Sequence, residues 1–173
     1  MKLRGVVVVV LLTIGVVTVP PAHAASTRAE YIAQVDPICQ SFVGPQSNAL
    51  SSFIKNTKRL GRVAQAAVKS GKFKALLRQI RRTAGALNGY AQIHASMTDQ
   101  IVAVPAPPSD AGTIGTWVNA RRQAEGLARS AASALDRFKF KVFLKRLDQS
   151  DAAESAGISA ISGIGFQVCG VSV

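Results

Sequence analysis

Two cysteines, Cys39 and Cys169, lie near the two ends of the chain, which begins with the pattern of a cleavable export signal. Thiols oxidise outside the cytoplasm, and two of them allow a single intramolecular pairing. That bond would close a loop of 131 residues, which the chain-entropy model values at about 5 kcal/mol as an upper figure. The cysteines therefore predict a fold whose ends are joined by a disulfide. Two buried free thiols are the alternative.

The predicted signal occupies residues 1–24. Lys2 and Arg4 precede an apolar run of 14 residues, and Ala22-His23-Ala24 supplies the small-x-small pattern that a signal peptidase needs. The run is shorter than the ~20 residues of a membrane-spanning helix, although an uncleaved membrane anchor remains the alternative. The residue directly after the predicted cleavage site is Ala25 rather than a cysteine, which argues against a lipoprotein. We expect a secreted or cell-envelope protein.

Cleavage would leave residues 25–173, which is enough for one domain with its own core. This part keeps 19 Lys and Arg and nine Asp and Glu, a net charge of +10. A charge of this size bears on partners and solubility rather than on the fold.

Apolar residues recur at helical spacing along nearly all of this domain. Thr27 and Glu30 form a capping-box pattern that opens a short first helix. Pro37 is expected to kink this helix or mark its first turn, and Gly44-Pro45 is expected to end it. Ser47 can cap the next helix, which we predict to continue through Lys69.

The second half of the domain follows the same pattern. A turn at Ser70-Gly71 precedes a helix predicted over residues 73–102. Residues 104–109, VPAPPS, form an extended linker between two helical hairpins. Asp110 can cap the next helix, on which Arg121 and Glu125 share a face four residues apart and are expected to pair.

The segment RFKFKVF at residues 137–143 alternates like a strand, but an internal similarity favours a helix. Residues 67–80 align without gaps to residues 134–147 and are identical at five of fourteen positions. If residues 67–80 are a turn followed by a helix, residues 134–147 are too, which predicts a last helix over residues 140–162. A duplication and a chance match between two basic amphipathic helices both explain the similarity.

These elements predict an all-α fold, an antiparallel up-and-down bundle of about four long helices plus a shorter N-terminal helix. The layout resembles a group of secreted actinobacterial helical proteins with no assigned activity. The resemblance rests on Asp36-Pro37-Ile38-Cys39, on Pro105, Pro107 and Pro108 followed by Trp117, and on the GFQVCG segment at residues 165–170. It implies an exported helical domain and no transferable catalytic residues.

The sequence favours a protein without enzymatic activity, cofactor or metal. His94 is the only histidine after the signal, and no serine lies in a Gly-x-Ser-x-Gly turn. His94 and Met97 could in principle ligate haem iron, but two residues flanking a core stripe explain them better. The nine acids are scattered, so no metal-ligand cluster is evident.

A basic surface on two consecutive helices is the sequence feature that suggests a binding function. No acid occurs between Asp36 and Asp99. On each helix the cations fall within about 100° opposite the apolar stripe. The candidate binding residues are Lys55, Lys58, Arg59, Arg62 and Lys69 on the first helix, and Arg78, Arg81 and Arg82 on the second.

Such a surface attracts anionic lipid, acidic wall polymer or acidic protein, whereas the lack of DNA-reading motifs argues against nucleic acid. A solvated face that only keeps the protein soluble is the alternative. The predicted function is therefore an exported, non-catalytic helical protein that binds an anionic envelope component or a partner protein. A membrane-active basic helical protein is the second hypothesis, suggested by RFKFKVFLKRL at residues 137–147.

Overall fold

The computed structural model describes residues 27–170, which form four helices and, within this range, no strand. They are α1 (Arg28–Ser70), α2 (Lys74–Val102), α3 (Ala111–Asp136) and α4 (Phe140–Ile161). The predicted all-α bundle is confirmed. The predicted export signal lies outside the described residues.

The first helix is longer than predicted, because α1 is one helix of 43 residues that continues through Pro37 and Pro45. The predicted break at Gly44-Pro45 is therefore wrong, and Ser47 lies inside the helix rather than at its cap. Burial on both sides of Pro45 offsets the lost backbone hydrogen bond, since Cys39 and Gln46 are both packed into the fold.

The start of α1 agrees with the sequence. The Thr27 hydroxyl accepts from the Glu30 backbone N–H at 3.2 Å, and the Glu30 carboxylate accepts from the Thr27 N–H at 3.1 Å. This is the predicted capping box.

The helices pack in chain order, α1 on α2, α2 on α3 and α3 on α4. No Cα atom of α1 lies within 8 Å of a Cα atom of α4. The bundle therefore has an open seam between its first and last helices, which most four-helix bundles close.

The C-terminal tail crosses this seam at one end. The predicted disulfide is confirmed, since Cys39 and Cys169 are bonded with their Cα atoms 5.3 Å apart. The Asp36 carboxylate accepts from the backbone N–H groups of Gln167, Val168 and Cys169 at 2.9, 3.2 and 3.2 Å. The tail is thus tied to α1 by a covalent bond and three hydrogen bonds.

Both hairpin turns contain one residue with a left-handed φ. Gly71 ends α1 with φ 69°, and Phe138 follows α3 with φ 61°. These positions coincide in the alignment of residues 67–80 with 134–147, so the similarity in sequence corresponds to a similarity in structure. The ambiguous RFKFKVF segment is a turn leading into α4, as the helical interpretation predicted.

Two expected side-chain roles are wrong. Asp110 stands at the N-cap position of α3 but makes no capping hydrogen bond. Its carboxylate instead accepts from Arg28 Nε at 2.9 Å and Nη2 at 2.5 Å, because a bidentate, charge-assisted pair is stronger than a cap. Arg121 and Glu125 do not pair with each other either, since each finds a partner on a neighbouring helix.

Candidate functional site

The bundle has two chemically different ends. The α1–α2 turn (residues 71–73) and the α3–α4 turn (residues 137–139) lie at the same end because successive helices are antiparallel. We call this the turn end and the opposite one the disulfide end. The midpoints of the helices divide the chain into a turn-end half, residues 49–88 and 124–150, and a disulfide-end half made of the other residues after the signal.

Charge is separated between these halves. The turn-end half contains sixteen Lys and Arg and three Asp and Glu, whereas the disulfide-end half contains three and six. All three cations of the disulfide-end half form ion pairs: Arg28 with Asp110, Arg121 with Glu154 and Arg122 with Asp99. Among the sixteen, only Arg129 pairs with a described acid, Glu125 at 3.9 Å. The turn end is therefore a field of uncompensated positive charge.

Exposed apolar side chains concentrate at the same end. Of nine large exposed hydrophobic residues in the described chain, seven lie in the two similar segments, residues 67–80 and 134–147. Equivalent positions match in both, since Phe73 and Phe140 are 53% and 48% exposed and Leu77 and Leu144 are 41% and 58% exposed. The seven are Val68, Phe73, Leu77, Phe138, Phe140, Val142 and Leu144. Together they place an apolar surface inside the cationic field.

Phe138 occupies a backbone conformation that costs free energy. Its φ of 61° lies in the left-handed region, where a bulky L-residue is an outlier and glycine is favoured. Gly71 occupies the equivalent position in the other turn. The chain therefore holds an aromatic side chain, 47% exposed, at a position where glycine would be unstrained. Such strain is typical of functional positions.

The eight predicted binding residues are all exposed, and none forms an ion pair with a described acid. Five project from α1 and three from α2, which pack directly on each other. They are Lys55, Lys58, Arg59, Arg62, Lys69, Arg78, Arg81 and Arg82, which we call the basic face. All eight belong to the turn-end half, so this surface continues into the cationic field of the two turns.

A second candidate site is a buried polar cluster around Arg121, which is only 5% exposed. Its guanidinium donates from Nε to the Thr98 hydroxyl at 3.2 Å and from Nη1 to a Glu154 carboxylate oxygen at 3.3 Å. Nη2 lies 3.2 Å from Nδ1 of His94. Thr98 in turn donates to Glu125 at 2.5 Å. The cluster joins α2, α3 and α4 through one buried cation.

This environment determines the protonation of His94. Burial, with the Arg121 charge beside it, lowers the pKa of His94 from 6.5 to about 4. The ring is therefore neutral at neutral pH, and Nδ1 accepts the Arg121 hydrogen bond, which leaves the ring proton on Nε2. Burial also raises the pKa of Glu154, although Arg121 opposes that effect.

Only part of this cluster is evident from the sequence. The sequence predicts His94 at the edge of the core, where the structure shows it buried, but no sequence pattern indicates Thr98 or Glu154. The two haem-ligand candidates are already engaged within the protein: His94 Nδ1 faces Arg121, and the Met97 sulfur accepts from Gln46 at 3.4 Å. Residues 27–170 contain no group of three His, Cys, Asp or Glu side chains that could hold a metal ion.

A cavity of about 250 Å³ occupies the α1–α4 seam beside this cluster. The disulfide forms part of its wall. Apolar residues from α1, α2 and α4 line it together with His94, Arg121 and Glu154.

Comparisons with protein-family models, with curated proteins and with solved structures find no match to this chain. Within residues 27–170, no helix combines the length and the apolar character needed to cross a membrane.

Proposed function

We propose that this chain is an exported, non-catalytic protein that docks its turn end on an anionic membrane surface. The observation that carries the proposal is the coincidence of seven exposed apolar side chains with the uncompensated cations of the two hairpin turns. Of the anionic partners that the positive charge alone allows, we propose anionic lipid. The proposal combines the two functions predicted from the sequence, binding to an anionic envelope component and membrane activity.

The apolar side chains favour lipid over a wall polymer. A bilayer interface offers both anionic headgroups and an acyl boundary into which Phe and Leu can insert, whereas an acidic polymer offers only charge. Lys and Arg beside the aromatic residues complement the headgroups. The flanking cations of the two turns are Lys69, Lys72, Lys74, Arg137, Lys139 and Lys141.

The expected energies are sufficient for reversible binding. Each Lys or Arg near an anionic surface contributes about 1 kcal/mol, and burial of each Phe contributes about 1.5–3 kcal/mol relative to exposure. No helix has to cross the membrane, because the two turns present their side chains from the end of a rigid bundle.

The test is sedimentation with phosphatidylcholine vesicles that contain or lack phosphatidylglycerol, using residues 25–173 with the disulfide formed. We expect binding only to the anionic vesicles and a decline as salt increases. The triple variant Phe73→Ser, Phe138→Ser, Phe140→Ser should lose at least about tenfold in affinity, since 1.4 kcal/mol corresponds to a factor of ten.

Val102→Ser is the matched control, because Val102 is 47% exposed but ends α2 at the disulfide end. It should bind like the wild type. Equal binding by the triple variant and the wild type would contradict insertion of the turns, as would equal binding to vesicles with and without phosphatidylglycerol.

The basic face supports a second candidate, a protein that lies flat on an acidic wall polymer. The variant that tests this candidate replaces five residues of the basic face with glutamine: Lys55, Arg59, Arg62, Arg78 and Arg82. If this variant loses binding to teichoic acid while the triple Phe variant keeps it, the helix face rather than the turn end is the docking surface.

Export itself is tested by N-terminal sequencing of secreted protein, where we expect Ala25 as the first residue.

A further inference from the structure

The seam between α1 and α4 leaves space inside the bundle. Its cavity of about 250 Å³ is larger than an apolar protein cavity of about 150 Å³ that holds benzene. Val43 and Leu50 of α1 and Ile158 of α4 supply apolar walls, and the Cys39–Cys169 disulfide lies at its border. A small molecule with an apolar body therefore fits.

Two lining residues that are more than nine-tenths buried have unused hydrogen-bonding groups. Gln46 is 8% exposed; its side-chain amide nitrogen donates to the Met97 sulfur, and its carbonyl oxygen accepts nothing from the described residues. His94 is 8% exposed, and its Nε2–H donates to no described residue. Both can serve a molecule inside the cavity.

The charge around the cavity is negative, in contrast to the protein as a whole. Asp151 and Glu154 both line it. Arg121 neutralises Glu154 through their ion pair, but Asp151 pairs with no described cation. Tyr90, another lining residue, adds an aromatic ring whose face attracts cations.

We propose that this cavity binds a small organic cation, with its ammonium group near Asp151 and Tyr90 and its apolar body between Val43, Leu50 and Ile158. The site is independent of membrane docking, because it lies at the seam and is lined by none of the seven exposed apolar side chains and none of the cations of the two turns. Arg121 and His94 position the polar wall of the cavity, where Nε2–H of His94 is available to a ligand acceptor.

Three probes with one aromatic body and different charge test the proposal. Benzylammonium, benzyl alcohol and benzoate are titrated to about 10 mM, a range suited to ligands of so few atoms, and amide chemical shifts are followed by NMR. We expect benzylammonium to bind about three- to tenfold more tightly than benzyl alcohol, which is the scale of one partly desolvated cation contact. Benzoate should bind least.

Two variants with matched controls locate the site. Asp151→Asn should reduce the benzylammonium affinity to that of benzyl alcohol, whereas Asp136→Asn, an exposed acid at the turn end, should not. Ser155→Phe should block all three probes at the cavity mouth, whereas Ser159→Phe, one turn further along α4, should not. Absence of benzylammonium binding overturns the proposal. Equal affinity for all three probes, or a variant that binds like its control, does the same.

Discussion

The disulfide end and the turn end of this bundle differ in whether their charged side chains are paired and their large apolar side chains are exposed. At the disulfide end every Lys and Arg has a carboxylate partner, and the tail is fixed by Asp36 and the disulfide. At the turn end nearly all the cations lack a partner among the described residues, and large apolar side chains are exposed. The disulfide end therefore has the features of a stabilised frame, whereas the turn end has those of a binding surface.

The difference has a physical explanation in the cost of each arrangement. Unpaired like charges repel one another, and exposed Phe and Leu gain nothing from burial. Both costs are small for each residue at a solvated surface. The stability contributed by the disulfide end can therefore offset them. The disulfide supplies that stability where the chain would otherwise fray.

The largest expected effect comes from breaking the frame. Cys169→Ser removes the crosslink and should lower the free energy of unfolding by about 2–5 kcal/mol, since the unfolded chain regains its freedom. Chemical denaturation under non-reducing conditions measures this loss, and linked peptides in a non-reduced digest verify the wild-type bond. An unfolding midpoint equal to that of the wild type would show that the crosslink is not what stabilises this end.

Features that depend on local patterns could be predicted from the sequence, whereas features that depend on packing between helices could not. The capping box at Thr27, the hairpin turn before Phe140 and the Cys39–Cys169 pair depend on local patterns or on a single permitted pairing. The Arg121–Glu154 pair depends on the register between α3 and α4, which no local pattern specifies. The continuity of α1 through Pro45 likewise depends on burial at Cys39 and Gln46, so local propensity predicted a break that packing overrides.

The buried cluster at the disulfide end predicts a pH dependence of stability. His94 has a folded pKa of about 4 against 6.5 in the ordinary state, so the unfolded chain binds the extra proton between these values. Stability is unaffected above pH 6.5 and falls as the pH decreases, by about 2 kcal/mol at pH 5. The raised pKa values of Glu154 and Asp151 oppose this trend at lower pH, because the folded state then binds protons more readily.

His94→Gln isolates the histidine contribution. Unfolding free energies at pH 7 and pH 5 give the slope for each protein, and the variant should lose most of the decrease over this interval. Its absolute stability at pH 7 is not the readout, because the substitution also removes the contact with Arg121. An unchanged slope would assign the pH dependence to other groups.

The smallest expected effect probes the turn end at Phe138. Glycine is normally less stabilising than alanine by about 0.5–1 kcal/mol within regular structure. At φ 61° the order should reverse, so that Phe138→Gly is more stable than Phe138→Ala by about 1 kcal/mol. Gly71→Ala, at the equivalent position with φ 69° and no atom within 4 Å of the added Cβ, should lose a similar amount through strain alone.

Vesicle binding then separates stability from function at this turn. Both Phe138 variants should bind anionic vesicles less tightly than the wild type, although Phe138→Gly relieves the backbone strain. Gly71→Ala keeps every exposed apolar side chain and should bind like the wild type despite its lower stability. If binding instead follows stability across the three variants, Phe138 supports the turn rather than contacting the membrane.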